Sequence, residues 1–338
     1  MLSGLSKQAV TGYRHMKSII GLMLLIGAAA QLSPAYARTD LASELKDAQA
    51  ELAVGDYHKA YPQFLHFAEQ GNALAQFTVA MFHRLGWGNL PVDPVAACSW
   101  FEKSAAGDIP TATHYLAGCF EQGIGRPANP AQAAVWYQRA ADLGHYLSLC
   151  SLAELYMKGE GVTRNPQKGL ELCEQAAEQG AVPARVQVGR YLLQGDDSIR
   201  DLPAAHAWFE LAAAVSPEAQ YYLGIMHRDG LGHGRTPDEA RLWFERAASV
   251  GYVPAYFPTA RLYYGDSPDY QSQRPSADDL AKTYLWLSAT SQRSRDPVEL
   301  EQSRAMLEQV LAIMPPSWVP TLDERVAAHF AEYPAIRR

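Results

Sequence analysis

The chain has 338 residues, with 36 acidic against 29 basic side chains and a formal net charge of −7. Hydrophobic residues make up 48% of the chain, which is typical of a folded protein and not of a disordered one. Because an acidic chain without a basic cluster repels phosphate groups, nucleic acid is not expected as a partner, and neither is an anionic membrane surface.

Residues 1–37 have the pattern of a secretory signal peptide. Lys17 precedes an apolar run over residues 19–30, and Ala35-Tyr36-Ala37 is the small-residue pattern that signal peptidase recognises. The run is too short to predict a membrane span. No cysteine lies near the cleavage site, so a lipid anchor is not predicted. We therefore expect a mature protein that begins near Arg38 and is soluble in the bacterial periplasm, with no stable membrane anchor.

Two details of this segment bear on the mature chain. Met16 also begins a complete signal sequence, so the start codon, Met1 or Met16, is left open. Residues 1–37 contain three basic residues, Lys7, Arg14 and Lys17, and no acidic one. Their removal takes the formal net charge from −7 to −10, which strengthens the argument against an anionic partner.

A unit of two short amphipathic helices recurs along the chain at steps of 35 to 37 residues. A small residue closes each unit, a glycine ends its first helix, and a bulky anchor lies in its second helix. The closing residues are Gly71, Gly107, Gly144, Gly180, Ser216 and Gly251; the first-helix ends are Gly86, Gly123, Gly159, Gly195 and Gly230; the anchors are Trp100, Trp136, Leu172, Trp208 and Trp243. A fixed period in this range predicts a solenoid of stacked helix pairs.

In chain order, the predicted elements begin with an opening helix pair and continue through five clear units to Gly251. A looser pair and two closing helices follow. The predicted ranges outside the five units are 41–53, 57–70, 255–264, 277–290, 299–313 and 322–333. The domain prediction is a signal peptide at 1–37, a solenoid of about seven helix pairs at 38–292, and C-terminal capping helices at 293–338. Atypical terminal helices are expected because they keep the ends of a solenoid soluble.

Local residue types agree with this unit. Paired alanines such as Ala247 and Ala248 allow antiparallel helices to approach closely, and the bulky anchors are expected to fill the wider part of the groove. Asp93, Asn129 and Asn165 each precede a proline, which predicts an N-cap followed by proline at the first helical position.

The pattern A-x3-L-G-x2-Y-x2-G-x-G, followed by P-x2-A-x2-W-[FY]-x2-A-A-x2-G, resembles the Sel1-like repeat, a relative of the tetratricopeptide repeat. The resemblance runs from about Ala75 to Gly251. It implies an all-α fold, an alpha-alpha superhelix in the form of a right-handed solenoid of helix–turn–helix repeats. Because this family consists mostly of adaptors and scaffolds, it implies protein–protein interaction in envelope assembly, signalling or exopolysaccharide export.

Sequence motifs that would indicate catalysis, phosphate binding or metal binding are weak or missing. Turns such as Gly123-Ile124-Gly125 follow helices, whereas a phosphate-binding loop follows a strand. No histidine pair has zinc-site spacing, and His83 and His227 are interpreted as packing residues. No G-x-S-x-G motif occurs. We predict no catalytic residue, metal or cofactor; a carboxylate pair assembled from neighbouring repeats is left open.

The four cysteines have a spacing that favours two disulfides. Cys98 and Cys119 lie nearly symmetrically about one turn, and Cys150 and Cys173 about another. Antiparallel helices place such residues at the same level, and an oxidising periplasm favours their pairing. The alternative is four buried free thiols. One branch of the family, cysteine-rich secreted proteins reported to bind penicillins, has a cysteine pair in nearly every repeat, whereas most repeats here have none.

The leading functional prediction is a non-enzymatic periplasmic adaptor that holds a protein or an extended peptide of the cell envelope. The alternative is an enzyme or β-lactam-binding protein directed at the cell wall. In helix-pair solenoids the first helices line the concave face, so positions one to three after each opening alanine are predicted to bind the partner. The favoured binding residues are Phe77, His114, Arg185, Tyr221 and Tyr222.

Overall fold

The computed structural model describes residues 45–232, 234–265 and 275–334. The predicted signal peptide lies outside these ranges. All the regular secondary structure of the described ranges is helical. No helix within them is long and apolar enough to cross a bilayer.

The α-helices of the described ranges are numbered here in chain order. They are α1 (Lys46–Ala53), α2 (Tyr57–Glu69), α3 (Ala73–Leu85), α4 (Pro94–Ala106), α5 (Pro110–Gln122), α6 (Pro130–Asp142), α7 (Leu147–Lys158), α8 (Pro166–Glu178), α9 (Val182–Gln194), α10 (Leu202–Ala213), α11 (Pro217–Asp229), α12 (Pro237–Ser249), α13 (Tyr256–Tyr264), α14 (Ala277–Arg293), α15 (Pro297–Ile313) and α16 (Val319–Glu332). Short 3₁₀ helices at Trp87–Asn89, Val253–Ala255 and Pro316–Trp318 lie between them.

The helices pack as the predicted pairs. In the first compact unit, which ends at Ala181, α3 packs on α4, α5 on α6 and α7 on α8. In the second, which begins at Val182, α9 packs on α10, α11 on α12 and α13 on α14. The all-α repeat fold is therefore confirmed. The predicted domain boundaries after residues 37 and 292 remain predictions.

Helix ends follow the local residue types. Asp93, Asn129 and Asn165 each accept a hydrogen bond from the backbone N–H three residues later, at 2.9, 3.1 and 3.0 Å. Gly86 and Gly230 end α3 and α11 in the left-handed conformation, at φ 66° and 69°, which glycine adopts without steric cost. The corresponding Gly195 is an exception, since it has no positive φ and lies against the side chain of Ile199.

The anchor of the second helix is one residue later than the sequence predicted. Trp243 is only partly buried, and the guanidinium of Arg246 lies 4.7 Å from its ring centre. The next residue, Phe244, is fully buried among Ala240, Ala247 and neighbouring residues. The same shift recurs at the tryptophan anchors Trp100, Trp136 and Trp208, whereas the predicted anchor Leu172 is itself buried beside Cys173. The buried anchors are Phe101, Tyr137, Cys173, Phe209 and Phe244.

Glycine within a first helix makes room for these buried rings. A Cβ atom added at Gly189 in α9 would lie 2.6 Å from the ring of Phe209, too close for an unchanged structure. Gly118 in α5 offers a contrast, since its added Cβ would meet only the hydroxyl of Tyr137, at 3.6 Å.

We expect Gly189→Ala to lower the free energy of unfolding by about 1–3 kcal/mol, because overpacking displaces the phenylalanine ring. Gly118→Ala is the matched control and should instead raise it by about 0.5–1 kcal/mol, since alanine favours a helix interior. Urea denaturation of both variants measures the difference. Equal effects would show that the close approach at Gly189 does not control stability.

Candidate interaction surface

Phe77 does not lie on an open surface, contrary to the prediction for positions that follow the opening alanine. It is 2% exposed, and its ring centre lies 6.0 Å from that of Phe101 and 6.3 Å from that of Tyr115. The reason is that α3 packs against both α2 and α4, so every residue from Ala73 to Phe82 is buried. Phe77 is therefore a core residue of the first compact unit.

His114 in α5 belongs to a small polar cluster. Its Nδ1 lies 2.9 Å from Oγ of the buried Ser148, and Nδ1 of His145 lies 2.8 Å from the same oxygen. Burial, with smaller contributions from His145 and Arg84, lowers the pKa of His114 to about 3. His114 is therefore neutral at neutral pH, and it offers a partner no positive charge.

Arg185 in α9 is tied to its own unit. Its Nη1 donates a hydrogen bond to the backbone carbonyl of Leu211 at the C-terminal end of α10, at 3.2 Å. The side chain remains partly exposed. A cation beside the last carbonyls of a helix is stabilised by the helix dipole, so Arg185 contributes to the joint between α9 and α10.

Tyr221 and Tyr222 of α11 form a cluster that the sequence identified only in part. The Tyr221 ring lies 5.6 Å from the rings of both Tyr222 and Tyr252, and Tyr222 stacks on Phe209 at 5.0 Å. All three tyrosines are partly exposed. Burial raises the pKa of each phenol, so the hydroxyl groups stay protonated and can donate hydrogen bonds.

Arg190 of α9 completes this surface, which we call the tyrosine cluster: Arg190, Tyr221, Tyr222 and Tyr252. Nη1 of Arg190 donates to Oε1 of Gln187 at 3.3 Å and lies 3.9 Å from Oε1 of Glu218. The positive charge of Arg190 acts to lower the pKa of Tyr222 and Tyr252, against the larger effect of burial. Arg190 and Tyr252 were missed because neither occupies the three positions after an opening alanine.

The cysteines lie as the sequence suggested. Cys98 of α4 is bonded to Cys119 of α5, with Cα atoms 6.0 Å apart, and Cys150 of α7 is bonded to Cys173 of α8, with Cα atoms 4.3 Å apart. The first bond joins one helix-pair repeat to the next, and the second joins the two helices of a single repeat. Each therefore fastens a joint between helices that packing already brings together.

A charged cleft of about 430 Å³ lies where α12, α13 and α14 meet. Nζ of Lys282 lies 3.5 Å from Oε1 of Glu245 and from Oδ2 of Asp278, and donates to the hydroxyl of Tyr263 at 3.0 Å. That hydroxyl in turn donates to Oε2 of Glu245 at 2.6 Å. Lys282 therefore pairs with both carboxylates, which is typical of a structural ion-pair network.

Histidine, cysteine and acidic side chains are the groups that bind metal ions in proteins. No group of three or more that could hold a metal ion occurs in the part of the chain that the structure describes. His83, interpreted as a packing residue, has its Nε2 at 3.3 Å from the hydroxyl of Tyr61. His227 lies beside a second histidine, His206.

Comparison with known proteins assigns the fold to a family. The sequence model of the Sel1 repeat matches residues 73–108, 110–145, 147–180, 182–214 and 217–252, which are the five predicted units. The chain therefore belongs to the Sel1 repeat family, whose fold is a scaffold for protein interaction. In this family the fold is generally non-catalytic.

Individual relatives are more distant. A Sel1 repeat protein from Oxalobacter formigenes has a TM-score of 0.60 and 20% identity, covering 78% of this chain and 99% of that one. A putative Sel1 repeat protein from Klebsiella pneumoniae has a TM-score of 0.42 and 21% identity, covering 60% of this chain and 98% of that one. The uncharacterized protein NMB1327 of Neisseria meningitidis serogroup B is 37% identical over 70 residues, which span 20% of this chain and 15% of that protein. The Oxalobacter protein supports the shared fold alone.

Proposed function

We propose that the protein is a non-enzymatic adaptor that binds a protein or an extended peptide of the cell envelope through the tyrosine cluster. The clustering of three partly exposed tyrosines, two of which are influenced by the charge of Arg190, is the observation that carries this proposal. Tyrosine and arginine are the side chains that most often anchor protein interfaces, because each combines a large contact area with hydrogen-bonding groups. Their positions on or next to the first helices α9, α11 and α13 agree with the surface expected to bind in helix-pair repeats.

The proposed location is the bacterial periplasm. Two disulfides suit an oxidising compartment outside the cytoplasm. The signal-peptide pattern of residues 1–37 supports export. Envelope assembly, signalling or exopolysaccharide export are the processes in which such an adaptor would act.

The tyrosine cluster supplies both apolar contact and hydrogen bonds. The rings of Tyr221 and Tyr222 are held from beneath by Phe244 and Phe209, at 5.7 and 5.0 Å. Held rings lose little conformational entropy when a partner binds, which favours affinity. The protonated phenols and the guanidinium of Arg190 are donors suited to the backbone carbonyls of an extended chain.

We expect Tyr252→Ala and Arg190→Ala each to weaken partner binding by about 1 kcal/mol or more, roughly fivefold in Kd. The partner is first captured from envelope extract by the purified protein and identified, and calorimetry with the isolated partner then gives the Kd of each variant. Because Tyr221 and Tyr222 pack on core rings, their alanine variants would also lower stability. For these two positions Tyr→Phe is the better change, since it removes only the hydroxyl.

The matched control is Gln138→Ala, an exposed residue on the second helix α6. It should leave both binding and thermal unfolding unchanged. The proposal fails if the tyrosine-cluster variants bind normally while Gln138→Ala or Arg241→Ala, both on second helices, abolishes binding.

A further inference from the structure

Two histidines of the second compact unit face each other where α10 packs on α11. Nε2 of His206 lies 3.4 Å from Nε2 of His227, with ring centres 5.3 Å apart and ring planes at 75°. The side chain of His227 is 8% exposed and that of His206 is 22% exposed. The pair is therefore shielded from bulk water on one side and reachable on the other.

The opposite nitrogen of each ring faces a carboxylate. Nδ1 of His227 lies 3.1 Å from Oε2 of Glu239 and 2.7 Å from Oγ1 of Thr236, and Nδ1 of His206 lies 3.5 Å from Oε2 of Glu210. A carboxylate only accepts hydrogen bonds, so it favours the proton on Nδ1 of a neutral imidazole. The two Nε2 atoms are within hydrogen-bond distance of each other, and a cation between them can replace the shared proton and accept a lone pair from each ring.

We propose that His206 and His227 together bind a divalent transition-metal ion of the zinc type. A Zn–N distance of about 2.0–2.1 Å and a tetrahedral angle place two ligand nitrogens about 3.3–3.4 Å apart. A square-planar ion, typical of Cu²⁺, would place them about 2.9 Å apart at similar bond lengths. The observed 3.4 Å matches the tetrahedral ion.

The carboxylates behind the rings fit the same proposal. Histidines that bind a metal almost always donate the other N–H to a carboxylate, a carbonyl or water, which fixes the tautomer and makes the ligand nitrogen more basic. Glu239 and Glu210 are placed to do this.

Other helix-pair repeats also have a link at this place, between the second helix of one repeat and the first helix of the following repeat. Between α2 and α3 it is the contact of Tyr61 with His83, 3.3 Å from hydroxyl to Nε2. Between α4 and α5 it is the Cys98–Cys119 disulfide. A metal ion held between α10 and α11 would be a third kind of link at this joint of the repeat.

Titration of the purified protein with Zn²⁺ by calorimetry tests the proposal. We expect one ion to bind, with release by EDTA, and His206→Gln to weaken the Kd at least tenfold. His227→Gln should have the same effect. The matched control His58→Gln, at an exposed position on α2, should bind as the unchanged protein does.

Two further measurements keep the result decisive. His227 is buried, so circular dichroism must first show that His227→Gln folds. If His227→Gln does not fold, His206→Gln decides the question, because it changes only a partly exposed side chain. Nitrogen NMR of the imidazoles should show both Nε2 signals shifting when Zn²⁺ is added. The proposal is overturned if His206→Gln binds Zn²⁺ normally, or if His114→Gln alone removes binding, which would assign the ion to the His114–His145 cluster.

Discussion

Replacing Phe244 with alanine should lower the free energy of unfolding by about 3–5 kcal/mol, the largest effect expected from one substitution in the second unit. Phe244 is fully buried, packs on Tyr221 at a ring distance of 5.7 Å, and fills the space left by Gly224. A cavity at this point would loosen α11 and α12 together. Urea denaturation followed by circular dichroism measures the change.

Trp243→Ala is the matched control for this prediction. Trp243 is larger but only partly buried, and its main polar neighbour is the exposed Arg246. Its removal should lower the free energy of unfolding by less than about half as much, because less apolar area returns to water. If Trp243→Ala proves the more harmful change, the buried anchor has been assigned to the wrong residue.

Removal of a disulfide should have the next largest effect. The double change Cys98→Ser with Cys119→Ser opens a loop with a sequence separation of 21 residues, and should lower the free energy of unfolding by about 3 kcal/mol in the chain-entropy account. The change at Cys150 and Cys173, with a separation of 23 residues, should have a similar effect. Thermal or urea unfolding with and without a reducing agent measures both.

The control is the variant with all four cysteines changed to serine, whose stability should not respond to the reducing agent. Peptide mapping under non-reducing conditions checks the pairing directly. A linkage between Cys119 and Cys150 would contradict the assignment, since both lie in first helices of neighbouring units.

The proposed metal site and the tyrosine cluster both lie in the second unit and both involve α11, but they use different residues of it. His227 is near the C-terminal end of α11, whereas Tyr221 and Tyr222 are near its start. Loss of Zn²⁺ binding in His206→Gln with partner binding unchanged would show that the two sites are independent. Loss of both would show that the ion helps to hold α11 in place.

The sequence alone determined the repeat, the helix limits to within a few residues, and the caps. These features depend on neighbours in the chain: Asn129 caps α6 because the N–H group it binds is three residues away, and Gly230 ends α11 because its own φ is positive. The cysteine pairs were also predictable, since two helices joined by a turn place residues at matching distances from it at the same level. Gly195 departs from this pattern, since its φ is not positive and the side chain of Ile199 lies against it.

The tertiary structure decided which side of each helix is covered, and therefore which residues form sites. Phe77 and Phe244 are buried because neighbouring helices pack over them, while Trp243, one residue earlier, turns outward. His206 and His227 meet although 21 residues separate them and no zinc motif marks them. Tyr252, which follows α12, reaches Tyr221 of α11 although 31 residues separate them. A sequence period specifies that such units stack, but the contacts across each joint depend on side-chain directions that only the packed helices fix.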